Sequence, residues 1–180
     1  APTGLAAADV PADQGGALRL NWTANTESDR KEYGVYRALT SGALATKTLL
    51  TRVASPGTTH QDAGLVNATT YYYQVTARDT STNESGGSTE VSSIPYDNLA
   101  PAVPVGLAGG DVAADQGGAL RLNWTANTEG DLKEYRIRRS TGTGITAATA
   151  IQVTIAAGGT THQEGGLVNG TTQYYRLTAR

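Results

Sequence analysis

Residues 13 to 27 read Asp-Gln-Gly-Gly-Ala-Leu-Arg-Leu-Asn-Trp-Thr-Ala-Asn-Thr-Glu, and the same letters return in the same order from Asp115 to Glu129. The first four residues favour a tight turn, because glycine adopts a positive φ at no steric cost. Leu18, Leu20 and Trp22 then alternate with polar residues, which is the pattern of a strand with one buried face. The stretch therefore predicts a turn followed by a β-strand, present twice.

The repeat extends over almost the whole chain. With an offset of 102 positions, residues 1–78 align with residues 103–180 without a gap, and roughly three in five positions are identical, as expected for tandem modules. A chain of 180 residues has room for two such modules, each with its own core. We expect a first module at residues 1–98, a proline-containing linker at 99–104, and a second module at 105–180. The prolines in and beside the linker predict an extended, semi-rigid connection.

Composition and charge exclude several classes of protein. The net charge is -2 with 17% charged residues and no basic run, so no positive field is available to hold a nucleic acid. No stretch of the length of a membrane span is apolar throughout, so membrane insertion is not expected. The chain contains no Cys, which excludes a disulfide scaffold and a thiolate metal site. Because it begins with the linker-like Ala1-Pro2 and lacks a signal-peptide pattern, we expect a mature segment of a longer string.

The turn residues of the first module are distributed as in a small antiparallel β-protein. Turn signals at residues 13–16, 55–57 and 85–87 separate short alternating runs, and no long helical period is present. The runs predict seven strands, at residues 4–10, 17–23, 32–37, 48–53, 58–61, 70–78 and 88–94.

Four groups of residues in the first module carry a resemblance to a known family. They are Pro2-x-Gly4-Leu5, Trp22, Tyr33-x-Val35-Tyr36-Arg37, and Leu65-x-Asn67-x-Thr69-x-Tyr71-x-Tyr73-x-Val75-x-Ala77. Together they resemble a fibronectin type III domain, in the form found in bacterial secreted and surface proteins, and the resemblance covers essentially the whole chain. It implies an all-β chain of two tandem immunoglobulin-like β-sandwiches, with the B–C and F–G loops together at one pole.

The second module departs from this pattern in two places. Gln173 stands where the first module has Tyr71, so the hydroxyl hydrogen bond implied for that corner is missing. Arg180 aligns with Arg78, so the second sandwich ends at strand F and lacks its last strand within this chain. An unpaired strand F would expose backbone donors and acceptors. The strand either follows in a longer array or is donated by another chain.

The apolar positions of the predicted strands define the expected core. Trp22 and Trp124 are in phase with the neighbouring leucines, so we interpret them as core residues rather than as sugar-stacking platforms. The expected core residues are Leu18, Leu20, Trp22, Tyr33, Val35, Leu65, Tyr71, Tyr73, Val75, Leu120, Trp124, Tyr135, Leu167 and Tyr175.

Polar residues of the B–C and F–G loops suggest a weak calcium site in the first module, because calcium prefers oxygen ligands. The alternative is a set of turn-capping hydrogen bonds without any ion. The second module keeps Asn127, Glu129 and Asp131 of this group. No other cofactor is expected. The candidate calcium ligands are Asn25, Glu27, Asp29, Asp79, Asn83 and Glu84.

Nothing in the sequence predicts catalysis. A nucleophile needs a base within hydrogen-bond reach, yet the two histidines, His60 and His162, occupy equivalent positions one module apart. We therefore interpret them as structural residues and expect no catalytic residue. Glycosylation sequons begin at Asn21, Asn67, Asn83, Asn123 and Asn169. Among these, the loops of Asn67 and Asn169 are expected to be the more accessible acceptors.

These observations predict a non-catalytic, extracellular or cell-surface tandem module with a structural or adhesive role, such as a stalk, a spacer or a filament subunit. One alternative is a pair of accessory modules in a secreted polysaccharide-degrading enzyme, and another is a fibre subunit that self-assembles by strand exchange. The expected partners are other modules of a longer chain or neighbouring copies, and a carbohydrate or a host or cell-surface ligand.

Overall fold

The computed structural model describes all 180 residues, and the chain folds into two compact modules, Ala1–Leu99 and Ala100–Arg180. Both modules consist of antiparallel strands arranged in two sheets, so the predicted all-β fold class is confirmed. The helical content is a single 3₁₀ turn at Leu44–Thr46. No helix has the length and hydrophobicity needed to cross a membrane.

The first module has seven strands in two sheets, with the orders β1-β2-β5 and β4-β3-β6-β7. Strand β2 occupies its predicted range, whereas β7 is shorter than predicted. Before β7 the chain still follows β6, but the hydroxyls of Ser85 and Ser88 accept the N–H groups of Ala77 and Val75, which makes this pairing irregular. The strands are β1 (Thr3–Asp9), β2 (Ala17–Thr23), β3 (Arg30–Ala38), β4 (Thr48–Ala54), β5 (Thr59–Ala63), β6 (Tyr71–Asp79) and β7 (Val91–Ser93).

The second module has six strands in two sheets, with the orders β8-β9-β12 and β11-β10-β13. It repeats the first arrangement up to strand F, which is β13. No strand of this chain pairs with the outer side of β13, as the sequence predicted. The strands are β8 (Ala108–Asp111), β9 (Leu120–Asn123), β10 (Glu134–Ser140), β11 (Ile151–Ala156), β12 (Thr161–Glu164) and β13 (Tyr174–Ala179).

Alternation along the strands builds the core of the first module. In β2, Leu18, Leu20 and Trp22 are buried while the residues between them are exposed, because successive side chains of a strand point to opposite faces. The Trp22 ring meets the Tyr33 ring edge-on at 5.4 Å between centroids. The buried cluster contains Leu18, Leu20, Trp22, Tyr33, Val35, Leu65, Tyr71, Tyr73 and Val75.

The core of the second module contains partly different residues from those expected. Leu120 and Leu167, expected in the core, are only half-buried, and Tyr175 packs at its margin. Leu120 and Leu167 line a small cleft together with Gln173. The amide of Gln173 covers less apolar surface than the Tyr71 ring does in the first module, which leaves this end of the core open. The buried residues are Leu122, Trp124, Leu132, Tyr135, Ile137 and Leu177.

The repeated Gly-Gly turn is fixed by an asparagine from a distant loop. Gly15 and Gly16 have φ angles of 80° and 74°, a region that favours glycine. The Gly16 N–H donates to Asn67 Oδ1 at 2.6 Å, and Asn67 Nδ2 donates to the Gln14 carbonyl at 3.2 Å. A Cβ on Gly15 would lie 2.2 Å from Asn67 Oδ1. The turn therefore requires glycine for both its conformation and its packing.

Candidate functional site

The six candidate calcium ligands lie around one cleft of the first module, which we call the polar cleft. Its volume is about 320 Å³. The loop between β2 and β3 contributes Asn25, Glu27 and Asp29, the end of β6 contributes Asp79, and the segment after β6 contributes Asn83 and Glu84. The fold thus brings together two groups of residues that are at least 50 positions apart in the sequence.

Two carboxylates of the polar cleft, Asp79 and Glu84, already have hydrogen-bond partners within the protein. Asp79 accepts from the backbone N–H and the side-chain amide of Asn83, both at 2.8 Å. Glu84 accepts from the hydroxyls of Tyr36 at 2.7 Å and Thr76 at 2.6 Å, and from Arg52 at 3.3 Å. These bonds stabilise the ionised carboxylates rather than leaving their oxygens free for an ion.

The pKa values of these acids follow from the same contacts. The Asn83 side-chain hydrogen bond lowers the pKa of Asp79 below its ordinary value. Burial opposes ionisation of Glu84, but the bonds from Thr76, Tyr36 and Arg52 outweigh it, so its pKa is also lowered. The pKa of Glu27 is lowered mainly by a backbone hydrogen bond within its own loop. All three acids are therefore ionised at neutral pH.

Two cations, Arg30 and Arg78, line the same cleft. No three Asp, Glu or His side chains of the chain come together as a group that could hold a metal ion. The Asn25 side-chain oxygen is buried and makes no hydrogen bond. The hydrogen bonds of Asp79 and Glu84 support the capping interpretation for these two acids, whereas the unpaired Asn25 oxygen does not. The calcium site stays a prediction.

In the second module the equivalent residues hold the backbone at Ala102. The Ala102 N–H donates to Glu129 at 2.6 Å, and the Asn127 amide donates to the Ala102 carbonyl at 2.8 Å. The backbone N–H of Asn127 donates to the Tyr135 hydroxyl at 2.6 Å, as that of Asn25 does to Tyr33 at 2.8 Å. In this module the conserved loop residues have a structural role.

A partly buried ion pair between the two sheets was missed by the sequence reasoning. Arg37 on β3 contacts both oxygens of Asp62 on β5, at 3.0 and 2.9 Å, and the Tyr73 hydroxyl donates to Asp62 at 2.8 Å. The Arg37 guanidinium lies over the Tyr71 ring, 5.4 Å from its centroid. An available signal was that both repeats keep an arginine and an acid at these two positions, as Arg139 and Glu164 in the second module.

A second unpredicted ion pair joins the loop before β4 to the segment before β7. The Lys47 ammonium group is fully buried and donates to Glu90 at 2.5 Å and to the Gly42 carbonyl at 2.6 Å. Glu90 also accepts from the Ser41 hydroxyl at 2.5 Å. The Lys47 ammonium is the first cause of a Glu90 pKa of about 2.

The histidines and the sequons offer no reactive arrangement. His60 and His162 are half-buried on β5 and β12, and neither imidazole makes a hydrogen bond to a nucleophilic side chain. The side-chain amide of Asn67, expected to be an accessible glycosylation acceptor, donates to Gln14 and is held against the Gly15 turn. The amide of Asn83 donates to Asp79. Both amides are occupied by structural hydrogen bonds.

Comparison with known proteins gives two related enzymes. No family model matches the chain. It is 33% identical over 185 aligned positions to exoglucanase B of Cellulomonas fimi, which covers 87% of the chain and 16% of that protein. It is 39% identical over 92 residues to a poly(3-hydroxybutyrate) depolymerase of Ralstonia pickettii, which covers 51% of the chain and 16% of that protein. The chain thus spans about a sixth of the length of these relatives.

Comparison with solved structures identifies the fold. A two-domain fibronectin type III segment of chicken tenascin matches 99% of the chain and 90% of that segment, with a TM-score of 0.53 and 18% sequence identity. Both modules have the fibronectin type III fold. The resemblance predicted from the sequence is therefore confirmed, and the polar cleft lies on a fibronectin type III module between the B–C loop and the chain after strand F.

Proposed function

We propose that this chain is a non-catalytic spacing segment of a longer, secreted enzyme that degrades a polymer. The observation that carries the proposal is its match to about a sixth of two enzymes whose names indicate different polymers, a glucan and a polyester. A segment shared between such enzymes fits a role that does not depend on the bond cleaved. The proposal corresponds to the alternative of accessory modules in a secreted enzyme.

The chemistry of the two modules supports this role. The fibronectin type III sandwiches enclose apolar cores, and Asp79 and Glu84 of the polar cleft are hydrogen-bonded to other side chains of the first module. Catalysis by a serine nucleophile activated by histidine requires the two side chains in contact, and neither His60 nor His162 makes a side-chain hydrogen bond to a serine. The three prolines between residues 94 and 104 favour an extended connection.

The experiment replaces residues 1–180 of the parent enzyme with a Gly/Ser linker of the same length and measures hydrolysis of a soluble and an insoluble substrate. We expect unchanged turnover of the soluble substrate and slower turnover of the insoluble polymer, since spacing matters only at a surface. The isolated chain should hydrolyse neither substrate. Hydrolysis by the isolated chain, or loss of soluble-substrate turnover in the linker variant, would contradict the proposal.

A structural or adhesive stalk is the second candidate, favoured by the identity of the turn-and-strand stretch in the two modules. Such similarity is expected where modules are added for length. Further copies of the same module beside residues 1–180 in the parent protein would favour the stalk, and a catalytic domain there would favour the enzyme.

Calcium binding at the polar cleft stays a hypothesis with a direct test. At a free calcium concentration 100 times the dissociation constant, a bound ion would stabilise the first module by about 2.7 kcal/mol. Thermal melts of the chain with calcium and with a chelator would show this as a shift of the first-module transition. The variant Asp79→Asn should abolish the shift, and an unmoved transition in the unmodified chain would remove the hypothesis.

A further inference from the structure

The loop between β12 and β13 contains an asparagine followed by glycine, Asn169-Gly170, where the first module has Asn67-Ala68. This pair of residue types occurs nowhere else in the chain. Ala68 and Gly170 both have a positive φ, 60° and 76°, so the two loops share this backbone conformation. They differ in what holds the asparagine side chain and in the residue that follows it.

In the first module, hydrogen bonds fix both ends of the asparagine amide. Asn67 Oδ1 accepts from the Gly16 N–H at 2.6 Å, and Asn67 Nδ2 donates to the Gln14 carbonyl at 3.2 Å. The next backbone N–H, that of Ala68, donates to the Pro95 carbonyl at 2.9 Å. The side-chain amide carbon and the following backbone nitrogen cannot meet unless these bonds break.

The equivalent groups of the second module are free. The Asn169 side chain lies against the turn at Gly117, where a Cβ would be 2.4 Å from its Nδ2, but it makes no hydrogen bond. The Gly170 N–H donates to no acceptor. Both residues are exposed, and nothing lies within 4 Å of the Cβ position of Gly170. Because glycine has no side chain and reaches many backbone conformations, the Asn169 amide carbon and the Gly170 nitrogen can approach each other.

This freedom permits a reaction within the chain, in which both partners are already held together. The Gly170 nitrogen attacks Asn169 Cγ and loses its proton. A C–N bond forms, the Cγ–Nδ2 bond breaks, and ammonia leaves with that proton. Water then opens the cyclic imide at either carbonyl carbon, which gives aspartate or isoaspartate without any oxidant. We propose that Asn169 is a site of spontaneous deamidation and isomerisation, and that the fold protects its counterpart Asn67.

The reaction would change both the charge and the length of this loop. Either product replaces a neutral amide with a carboxylate beside Gly117, whose N–H already donates to Asp115 at 2.7 Å. Isoaspartate also routes the main chain through the former side chain. The extra carbon atom lies inside the turn that the Thr171 N–H closes on the Val168 carbonyl at 3.2 Å. We therefore expect the isoaspartyl form to lose this hydrogen bond.

The test incubates the full chain in mildly alkaline buffer and follows both asparagines by peptide mass spectrometry, with isoaspartate detected by enzymatic methylation. We expect Asn169 to convert about tenfold faster than Asn67, the factor expected for the one or two hydrogen bonds that Asn67 must break. Gly170→Ala installs the residue of the first module and should slow the conversion of Asn169 several-fold. Ala68→Gly is the matched reverse change and should leave Asn67 slower than Asn169, because its side-chain hydrogen bonds remain.

Equal conversion of the two asparagines, or unchanged conversion of Asn169 in Gly170→Ala, would overturn the proposal. A product that contains aspartate alone would also overturn it, because direct hydrolysis by water forms no isoaspartate. Melting temperatures of the variants show that each is folded at the start of the incubation.

The effect on the turn has its own measurement. Amide hydrogen exchange of Thr171 should be faster in the isoaspartyl form and unchanged in Asn169→Asp, which adds the charge without the longer main chain. Equal exchange in the two would contradict the lengthening of the turn. The proposal is independent of the spacing role, since a chain that keeps Asn169 intact can still act as a spacer.

Discussion

Each module is closed around one tryptophan that contacts a tyrosine. Trp22 and Trp124 are each 5% exposed and meet Tyr33 and Tyr135 edge-on at 5.4 and 5.5 Å. Edge-to-face pairs of this kind add to the free energy gained by burial. The indole N–H groups are buried without partners, so the contribution of these residues comes from their volume and ring contacts. Because the chain has no Phe or Met, tyrosines are the only other large residues of these cores.

Trp22→Ala should reduce the free energy of unfolding of the first module by about 3 to 5 kcal/mol, because it leaves a cavity that the sheets cannot fill. Trp22→Phe is the matched control and should cost less, since it removes an unpaired donor and keeps an aromatic ring. Chemical denaturation of the chain measures both. An unchanged denaturation midpoint in Trp22→Ala would show that the indole is not a core residue.

Gly15→Ala should destabilise the first module for two separate reasons. Its φ of 80° is unfavourable for alanine, and the new Cβ would lie 2.2 Å from Asn67 Oδ1. Gly64 has a φ of 73° but open space at the Cβ position, so Gly64→Ala carries the backbone cost alone. Thermal melts should therefore rank the unmodified chain first, Gly64→Ala second and Gly15→Ala third. Equal losses in the two variants would show that Asn67 does not hold the turn.

At the scale of elements, the loop before β4 is attached to the edge of its sheet by one ion pair. Lys47 is fully buried in that loop, and Glu90, its carboxylate partner, lies just before β7. The second module has Thr149 at the position of Lys47, so this attachment belongs to the first module alone. Breaking a buried pair is unfavourable because the remaining charge stays away from water.

The pH dependence of the first module should show this pair. The folded-state pKa of Glu90 is about 2, below the ordinary value of 4.5. The stabilisation is therefore complete above about 4.5 and is lost as the pH falls towards 2. Glu90→Gln should lower the melting temperature at neutral pH and flatten its decrease over that acidic range. Lys47→Met combined with Glu90→Gln should recover part of the loss, and a pH profile identical to that of the unmodified chain in Glu90→Gln would contradict this assignment.

At the scale of the whole molecule, the edge of β13 decides between a segment of an array and a strand-exchanging fibre. Arg176 and Arg180 lie on or beside this strand, and cations at an edge oppose the pairing of two copies. We expect light scattering to give one constant mass over a concentration range of about a hundredfold, because a range of that order reveals weak association. A mass that rises with concentration, and does so more steeply in Arg176→Thr, would support strand exchange instead.

The sequence by itself determined the number of modules, the all-β class, strand β2 and the tryptophan at each centre. These are local or periodic properties, because alternation selects the buried face of a strand and an exact repeat implies the same fold twice. It also placed the six polar residues of the first module at one pole, since the resemblance implied which loops meet.

Only the tertiary structure decided what those polar residues do and where else charges are buried. Asp79 and Glu84 bond to neighbours such as Asn83 and Tyr36, and Leu120 is left half-buried beside Gln173. The pairs Lys47–Glu90 and Arg139–Glu164 join residues 43 and 25 positions apart. The pairing of a buried acid, and the cleft beside it, depend on side chains from different strands that meet in space. The spacing of residues along the sequence does not show which side chains will meet.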